Sequence, residues 1–241
     1  MNVLPVFVLF IILAGAFALA VWYLDVRRRQ ALQAWAVAHG LSFDEEHRAG
    51  VDANYPDFEC LQRGSNRYAY NTVSGPWKDR ALVGLDYHYE THSTDSKGNR
   101  QTNHHHFSAV VVESRVPLKP LVIRHEGLFD KVAGFFGFDD INFESAEFSR
   151  KFYVRSPDRK WAYDVIHPRT MELLLASPTF PIQFAPRAVM AHRDVTFKPI
   201  EFEQAADLVG GILARLPEYL QRQQLDATGA VASETRVGGS V

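Results

Sequence analysis

Five of the ten histidines in the chain are gathered into one stretch: His88, His92, His104, His105 and His106. In a strand, residues two or four apart share a face, so His88 aligns with His92 and His104 aligns with His106. If the two segments pair in a suitable register, the imidazoles of His88, His92, His104 and His106 converge on a Zn²⁺ or Ni²⁺ ion. The opposing reading is a histidine-rich surface around an exposed polar tip at 95–99, which needs no metal. Zinc is therefore the one cofactor for which the sequence offers ligands, and no cofactor is required.

The remaining polar candidates point less clearly to chemistry. Asp139 with Asp140, and Glu144 with Glu147, are pairs of carboxylates, but acid–base catalysis needs two carboxyls in a cleft with separated pKa values. Their simpler role is a capping turn and a solvated face. Cys60 lies beside Phe58 and Leu61 and reads as a small core residue rather than a nucleophile. Ser74-Gly75 lacks the Gly-x-Ser-x-Gly frame of a nucleophile elbow, and neither a Walker sequence nor a dinucleotide fingerprint is present. Arg150, Lys151, Arg155, Arg159 and Lys160 form a basic cluster that suits a solvated face or contact with anionic head groups. The net charge of -2 and pI near 6.6 supply no basic field for phosphate backbones, so nucleic acid is not an expected partner. No catalytic residue is assigned, and enzyme activity is not expected.

These side chains must be held by elements that the hydropathy pattern outlines. Residues 3–24 carry no charge and are rich in Val, Leu, Ile, Phe and Ala. A helix of about 22 residues spans roughly 33 Å, which matches the hydrocarbon core of a bilayer. Pro5 sits in the first turn, where its missing N–H is harmless. Trp22 and Tyr23 fall at an aromatic belt, and Arg27, Arg28 and Arg29 follow directly. A cleaved secretory leader would carry its charge before the apolar run, so the segment reads as a retained anchor. The arginine triplet predicts an outside N-terminus and a cytoplasmic domain at the cell inner membrane. Next, Ala31, Ala34, Trp35 and Ala38 recur at helical spacing, predicting a juxtamembrane helix set off by a small break and ended by Gly40, with Leu41 as its apolar contact.

The expected division is an anchor at 1–25, a juxtamembrane helix at 26–40, a soluble domain at 41–223 and a disordered tail at 224–241. Within the domain, strands are expected at 67–73, 81–91 and 104–112, the last two forming a long hairpin whose turn is Ser96-Lys97-Gly98-Asn99. Leu128, Phe129, Val132, Phe135 and Phe136 predict a helix, and 147–155 a strand. Asp158 caps a helix burying Trp161, Ala162, Val165 and Ile166, and Pro168 opens another. A hairpin follows at 182–184 and 188–192. A final amphipathic helix at 201–220 turns Phe202, Ala205, Ala206, Val209, Ile212, Leu213 and Leu216 inward, and Pro217 kinks or ends it. Tight hairpins mixed with helices favour α+β, with antiparallel pairing.

Several stretches resemble a family of bacterial single-span membrane proteins whose soluble part is a domain of unknown function. They are Ala38-His39-Gly40-Leu41, Asn71-Thr72-Val73-Ser74-Gly75, Leu85-Asp86-Tyr87-His88-Tyr89, Phe143-Glu144-Ser145-Ala146-Glu147-Phe148, Phe152-Tyr153-Val154 and His167-Pro168-Arg169-Thr170-Met171-Glu172. Ser149 stands where the family pattern has Asn. The resemblance implies topology and fold and carries no reaction. The expected function is thus a non-enzymatic, membrane-tethered binding or assembly module, whose partners are the lipid bilayer and another membrane or cytoplasmic protein. The alternative is metal binding through the histidine hairpin.

Overall fold

The computed structural model describes residues 4–95, 98–125, 140–220 and 222. Its first element, helix α1, runs from Leu4 to Ala38 without interruption. The break expected between anchor and juxtamembrane helix is absent, because Asp25 to Gln30 contain neither Gly nor Pro to interrupt the hydrogen-bond ladder. One helix, covering Phe7–Ala38, is long and apolar enough among the described residues to cross a membrane, and its most apolar stretch has no buried residue. Such an element is consistent with a single-pass anchor.

The last three turns of α1 behave differently, for they are part of the domain. Leu32 and Ala36 are fully buried, and Trp35 packs against the same core. This corrects the expected docking face: Ala31, Ala34 and Ala38 point to solvent, and the buried stripe is Arg28, Leu32, Trp35 and Ala36. Gly40 then adopts a left-handed conformation, φ 68°. Leu41 N–H donates to the Ala36 carbonyl at 2.8 Å and Gly40 N–H to that of Val37 at 3.1 Å, closing the helix with a Schellman motif.

Among the described residues, nine strands form one antiparallel sheet. Strands β1 (Ser42–Asp44) and β2 (Arg48–Ala49) both pair with β3 (Ser65–Trp77) at one edge. From there the order runs through β4 (Arg80–Thr94), β5 (Arg100–Glu113), β9 (Ala188–Arg193), β8 (Ile182–Ala185) and β6 (Leu121–His125) to β7 (Phe152–Arg155). The α+β architecture with antiparallel hairpins is as expected. Between the strands lie α2 (Val51–Asn54), α3 (Glu59–Gln62), α4 (Ala146–Lys151), α5 (Arg159–Val165) and α6 (Pro168–Ala176), and α7 (Pro199–Ala214) follows β9.

Alternation along β4 and β5 divides the core. Leu82, Val110 and Val112 face α1 and α7, packing with Leu32, Phe202 and Val209. Leu85, Tyr87, Phe107, Ala109 and Val111 face the opposite side, where Phe58, Cys60 and Leu61 cover them. Asp158 accepts from Trp161 N–H at 3.0 Å, Pro168 stands in the first turn of α6, and α7 buries the expected apolar face.

Three expectations for the second half change. Residues 147–155 divide into helix α4 and the short strand β7, with the Ser145 hydroxyl accepting from Phe148 N–H at the helix start. Helix α7 ends at Ala214, nearly two turns earlier than expected and ahead of Pro217. The helix expected around Leu128 to Phe136, two residues of the hairpin turn and the tail at 224–241 lie outside the described residues.

Candidate metal centre on the β4–β5 hairpin

The register of β4 against β5 places His88 opposite His106, Tyr89 opposite His105, Glu90 opposite His104 and His92 opposite Thr102. Side chains alternate between faces, so His88, Glu90, His104 and His106 share the α1 face of the sheet. His105 lies on the other, stacked on Tyr89 with ring centroids 4.6 Å apart and bonded to the Thr91 hydroxyl at 2.8 Å.

Of the four expected ligands, His88 and His104 meet. His88 Nε2 lies 3.1 Å from His104 Nδ1, and His104 Nδ1 lies 3.4 Å from a Glu90 carboxylate oxygen. One ligand atom from each of these three residues lies within 4.8 Å of the others. His92 turns away, with Nδ1 at 3.2 Å from the Thr102 hydroxyl and Nε2 at 3.1 Å from that of Ser65. His106 packs its ring 4.8 Å from that of His88, while its Nδ1 is taken by the Tyr70 hydroxyl at 3.0 Å. Glu90 was not foreseen. It lies two residues beyond His88 on the same face, a signal visible only once register is considered together with residue type.

The triad is built by an irregularity in the neighbouring strand. Pairing of β3 with β4 shifts between Ser65 and Tyr68, and within that bulge Asn66 has φ 49°. Asn is among the few residues that tolerate this conformation. From there the Asn66 carbonyl meets His88 Nδ1 at 3.1 Å, and its side-chain amide donates to Glu90 at 2.7 Å. A carbonyl only accepts, so the hydrogen of neutral His88 resides on Nδ1 and the Nε2 lone pair faces the triad. Tyr68 stacks on the His88 ring at 4.5 Å and holds its plane.

Burial falls from one ligand to the next: His88 is 3% exposed, whereas the side chains of Glu90 and His104 are 15% and 59% exposed. The Asn66 amide, followed by His104, His88 and His92, holds the Glu90 carboxyl below its usual range. Burial, and then the neighbouring His88 and His104, pushes His106 below 6.5, favouring its neutral form.

On the α1 side the site adjoins a buried ion pair. Arg28 donates through both terminal nitrogens to the Asp86 carboxylate, each at 2.8 Å, and through Nε to the Phe197 carbonyl at 2.7 Å. Asp86 is fully buried and also accepts from Asn71 at 2.8 Å and from the Ser108 hydroxyl. Tyr70 opposes Asp86 across β3 and β4, and its hydroxyl reaches His106. Burial, with Asp86 second, raises the Tyr70 phenol well above its usual pKa, so the link stays protonated. A chain of contacts thus leads from Arg28 on α1 to the histidines of the hairpin.

No family model matches the chain, and no curated protein matches it. The fold is similar to that of the mycobacterial trehalose monomycolate transport factor A, TtfA. Its crystal structure aligns with a TM-score of 0.57 at 13% sequence identity, covering 78% of this chain and 94% of that one. At this identity the likeness is one of fold. Several residues that suggested a family nevertheless have structural roles here. Asn71 and Asp86 meet at the ion pair, and Ser149 makes its own local bonds, to the Phe143 N–H at 3.0 Å and carbonyl at 3.1 Å.

The other candidates have local roles. Asp140 accepts from Val154 N–H at 2.9 Å, and Asp139 lies outside the described residues. Glu144 and Glu172 border a cleft with His167, whose Nε2 is engaged by the Arg215 carbonyl at 2.9 Å. Cys60 is buried beside Met190, and burial pushes its thiol up to about 12. A thiol held protonated in this way is no nucleophile.

Proposed function

We propose that the chain is a single-pass protein of the bacterial inner membrane whose sheet domain is a non-enzymatic binding or assembly module. In this reading the N-terminus lies outside and the domain lies on the cytoplasmic face. The observation that carries it is the continuity of α1: the helix with the exposed apolar residues Phe7 to Leu24 is the helix that Arg28 and Leu32 lock into the sheet. A domain fused in this way to its span is confined to the bilayer surface, which raises its effective concentration toward other membrane components. The orientation rests on Arg27, Arg28 and Arg29 immediately after the span. TtfA, named a transport factor for trehalose monomycolate, shares the fold. That likeness favours an accessory role beside a membrane system over catalysis.

Fractionation and topology test this directly. The full chain is expected to remain in the membrane pellet after alkaline carbonate washing and to leave it only with detergent. A C-terminal fluorescent protein should be bright and a C-terminal alkaline phosphatase inactive. Release by carbonate overturns the anchor, and an active phosphatase overturns the orientation. Site-specific photocrosslinkers on the sheet domain should capture the same membrane protein from several positions; crosslinks to abundant proteins alone would refute an assembly role.

A further inference from the structure

We propose that His88, Glu90 and His104 form a binding site for a first-row divalent transition ion, Zn²⁺ foremost, which clasps the two arms of the β4–β5 hairpin. The inference is independent of the membrane reading, since it rests on the hairpin and the adjoining strand β3.

Three features carry it. The first is spacing. Metal–ligand bonds of about 2.0–2.2 Å at tetrahedral angles place ligand atoms roughly 3.3–3.6 Å apart. Of the two contacts in the triad, 3.4 Å matches an edge of such a tetrahedron and 3.1 Å is slightly shorter than one, and all three ligand atoms lie within 4.8 Å of one another. The second is chemistry: two imidazoles and a carboxylate suit Zn²⁺, whereas Mg²⁺ and Ca²⁺ prefer sets made wholly of oxygen. The third is support from behind the ligands. Asn66 fixes the tautomer of His88 through its carbonyl and the carboxylate of Glu90 through its amide, the arrangement by which metal sites orient their ligands. One residue held at positive φ in a bulge therefore positions two of the three.

Without an ion, the hydrogen aimed into the triangle is the one on His104 Nδ1. His88 Nε2 and the carboxylate are both acceptors, so only His104 can donate between them. On binding, neutral His104 carries its hydrogen on Nε2 and presents the Nδ1 lone pair to the ion. The proton moves between ring nitrogens through solvent, and none need be released. Three protein ligands leave a fourth tetrahedral position for water or for a donor from a partner.

The test uses the full chain in detergent micelles, with any affinity tag removed, titrated with Zn²⁺ by calorimetry and with Co²⁺ by visible absorption. One equivalent of Zn²⁺ should bind in the micromolar range or tighter, and Co²⁺ should show the intense bands of tetrahedral coordination. His104→Ala, at the exposed ligand, and Glu90→Gln should each weaken Zn²⁺ binding at least about tenfold, in line with the sensitivity of metal sites to loss of a ligand or its support. His105→Ala and His92→Ala should leave it within about twofold. His88→Gln should abolish the Co²⁺ bands, with circular dichroism confirming its fold; if this variant does not fold, the His104 and Glu90 variants decide. Absence of stoichiometric binding, or equal losses in the His105 and His92 variants, overturns the site and leaves a diffuse histidine surface.

Discussion

Asp86 is the residue on which the union of helix and sheet turns. An ionised carboxylate buried to this degree is tolerable only when its lone pairs are filled, and Arg28, Asn71 and Ser108 fill them. Removing one member leaves the other charge buried without its counterion. Asp86→Ala is therefore expected to cost about 3–5 kcal/mol, the range for breaking a buried pair. Arg28→Lys should cost less but still measurably destabilise, because an ammonium keeps the charge and loses the two-pronged donor geometry. Guanidinium unfolding in micelles, followed by tryptophan fluorescence, reads both changes. A loss for Asp86→Ala no larger than a surface substitution's, about 0.5 kcal/mol, would mean that the pair is incidental. The sequence gives little warning of this role. Arginine is normally found at the surface, and three in a row after an apolar span read first as a topological signal.

At the scale of elements, two glycines with similar positive φ separate strain from collision. Gly40, φ 68°, ends α1, and a Cβ there would meet nothing within 4 Å. Gly40→Ala should then cost only the left-handed backbone penalty, about 1–2 kcal/mol. Gly64, φ 63°, lies directly against the Glu90 carbonyl, so an added Cβ strikes backbone as well. Gly64→Ala should lower the melting temperature further than Gly40→Ala and also displace Glu90 from the histidines. Equal effects of the two would refute the close approach.

Elements with an unambiguous period were legible from residues alone. The β-branched run Val110-Val111-Val112 and the inner face of α7 are examples, as is the stop at Gly40. The failures have physical causes. Phe148 and Phe152 are four apart, which fits one face of a strand and also a helical turn, and the Ser145 cap settles the matter only in three dimensions. Strand β6 went unnoticed because its apolar run, Leu121-Val122-Ile123, is brief and flanked by Lys119-Pro120 and Arg124-His125. In the juxtamembrane helix the alanines suggested a face, yet a small side chain is at home inside or outside, and the direction is set by Leu32 and Arg28. At the candidate site the residue type was readable and the partner was not, since Glu90 joins His104 only through the register of β4 on β5.

For the molecule as a whole, the change from exposed apolar helix to helix packed on the sheet falls inside α1 rather than at its end. A chain lacking residues 1–24 keeps Arg28, Leu32, Trp35 and Ala36 and should be soluble, monodisperse and cooperatively folded. A chain beginning at Leu41 loses the counterion of Asp86 and the apolar cover of Val73 and Trp77, and should aggregate or melt without cooperativity. Size-exclusion chromatography and thermal melts of the two truncations give the comparison, and equal stability would place the boundary at Gly40 instead. The uninterrupted helix has a mechanical corollary. Lipid thickness sets the tilt of a membrane-crossing rod, and here no swivel intervenes between rod and sheet. In the proposed single-pass arrangement, a thinner or thicker bilayer therefore leans the entire β-structure, and the hairpin arms with their histidines sweep toward or away from the head groups like the pointer of a gauge.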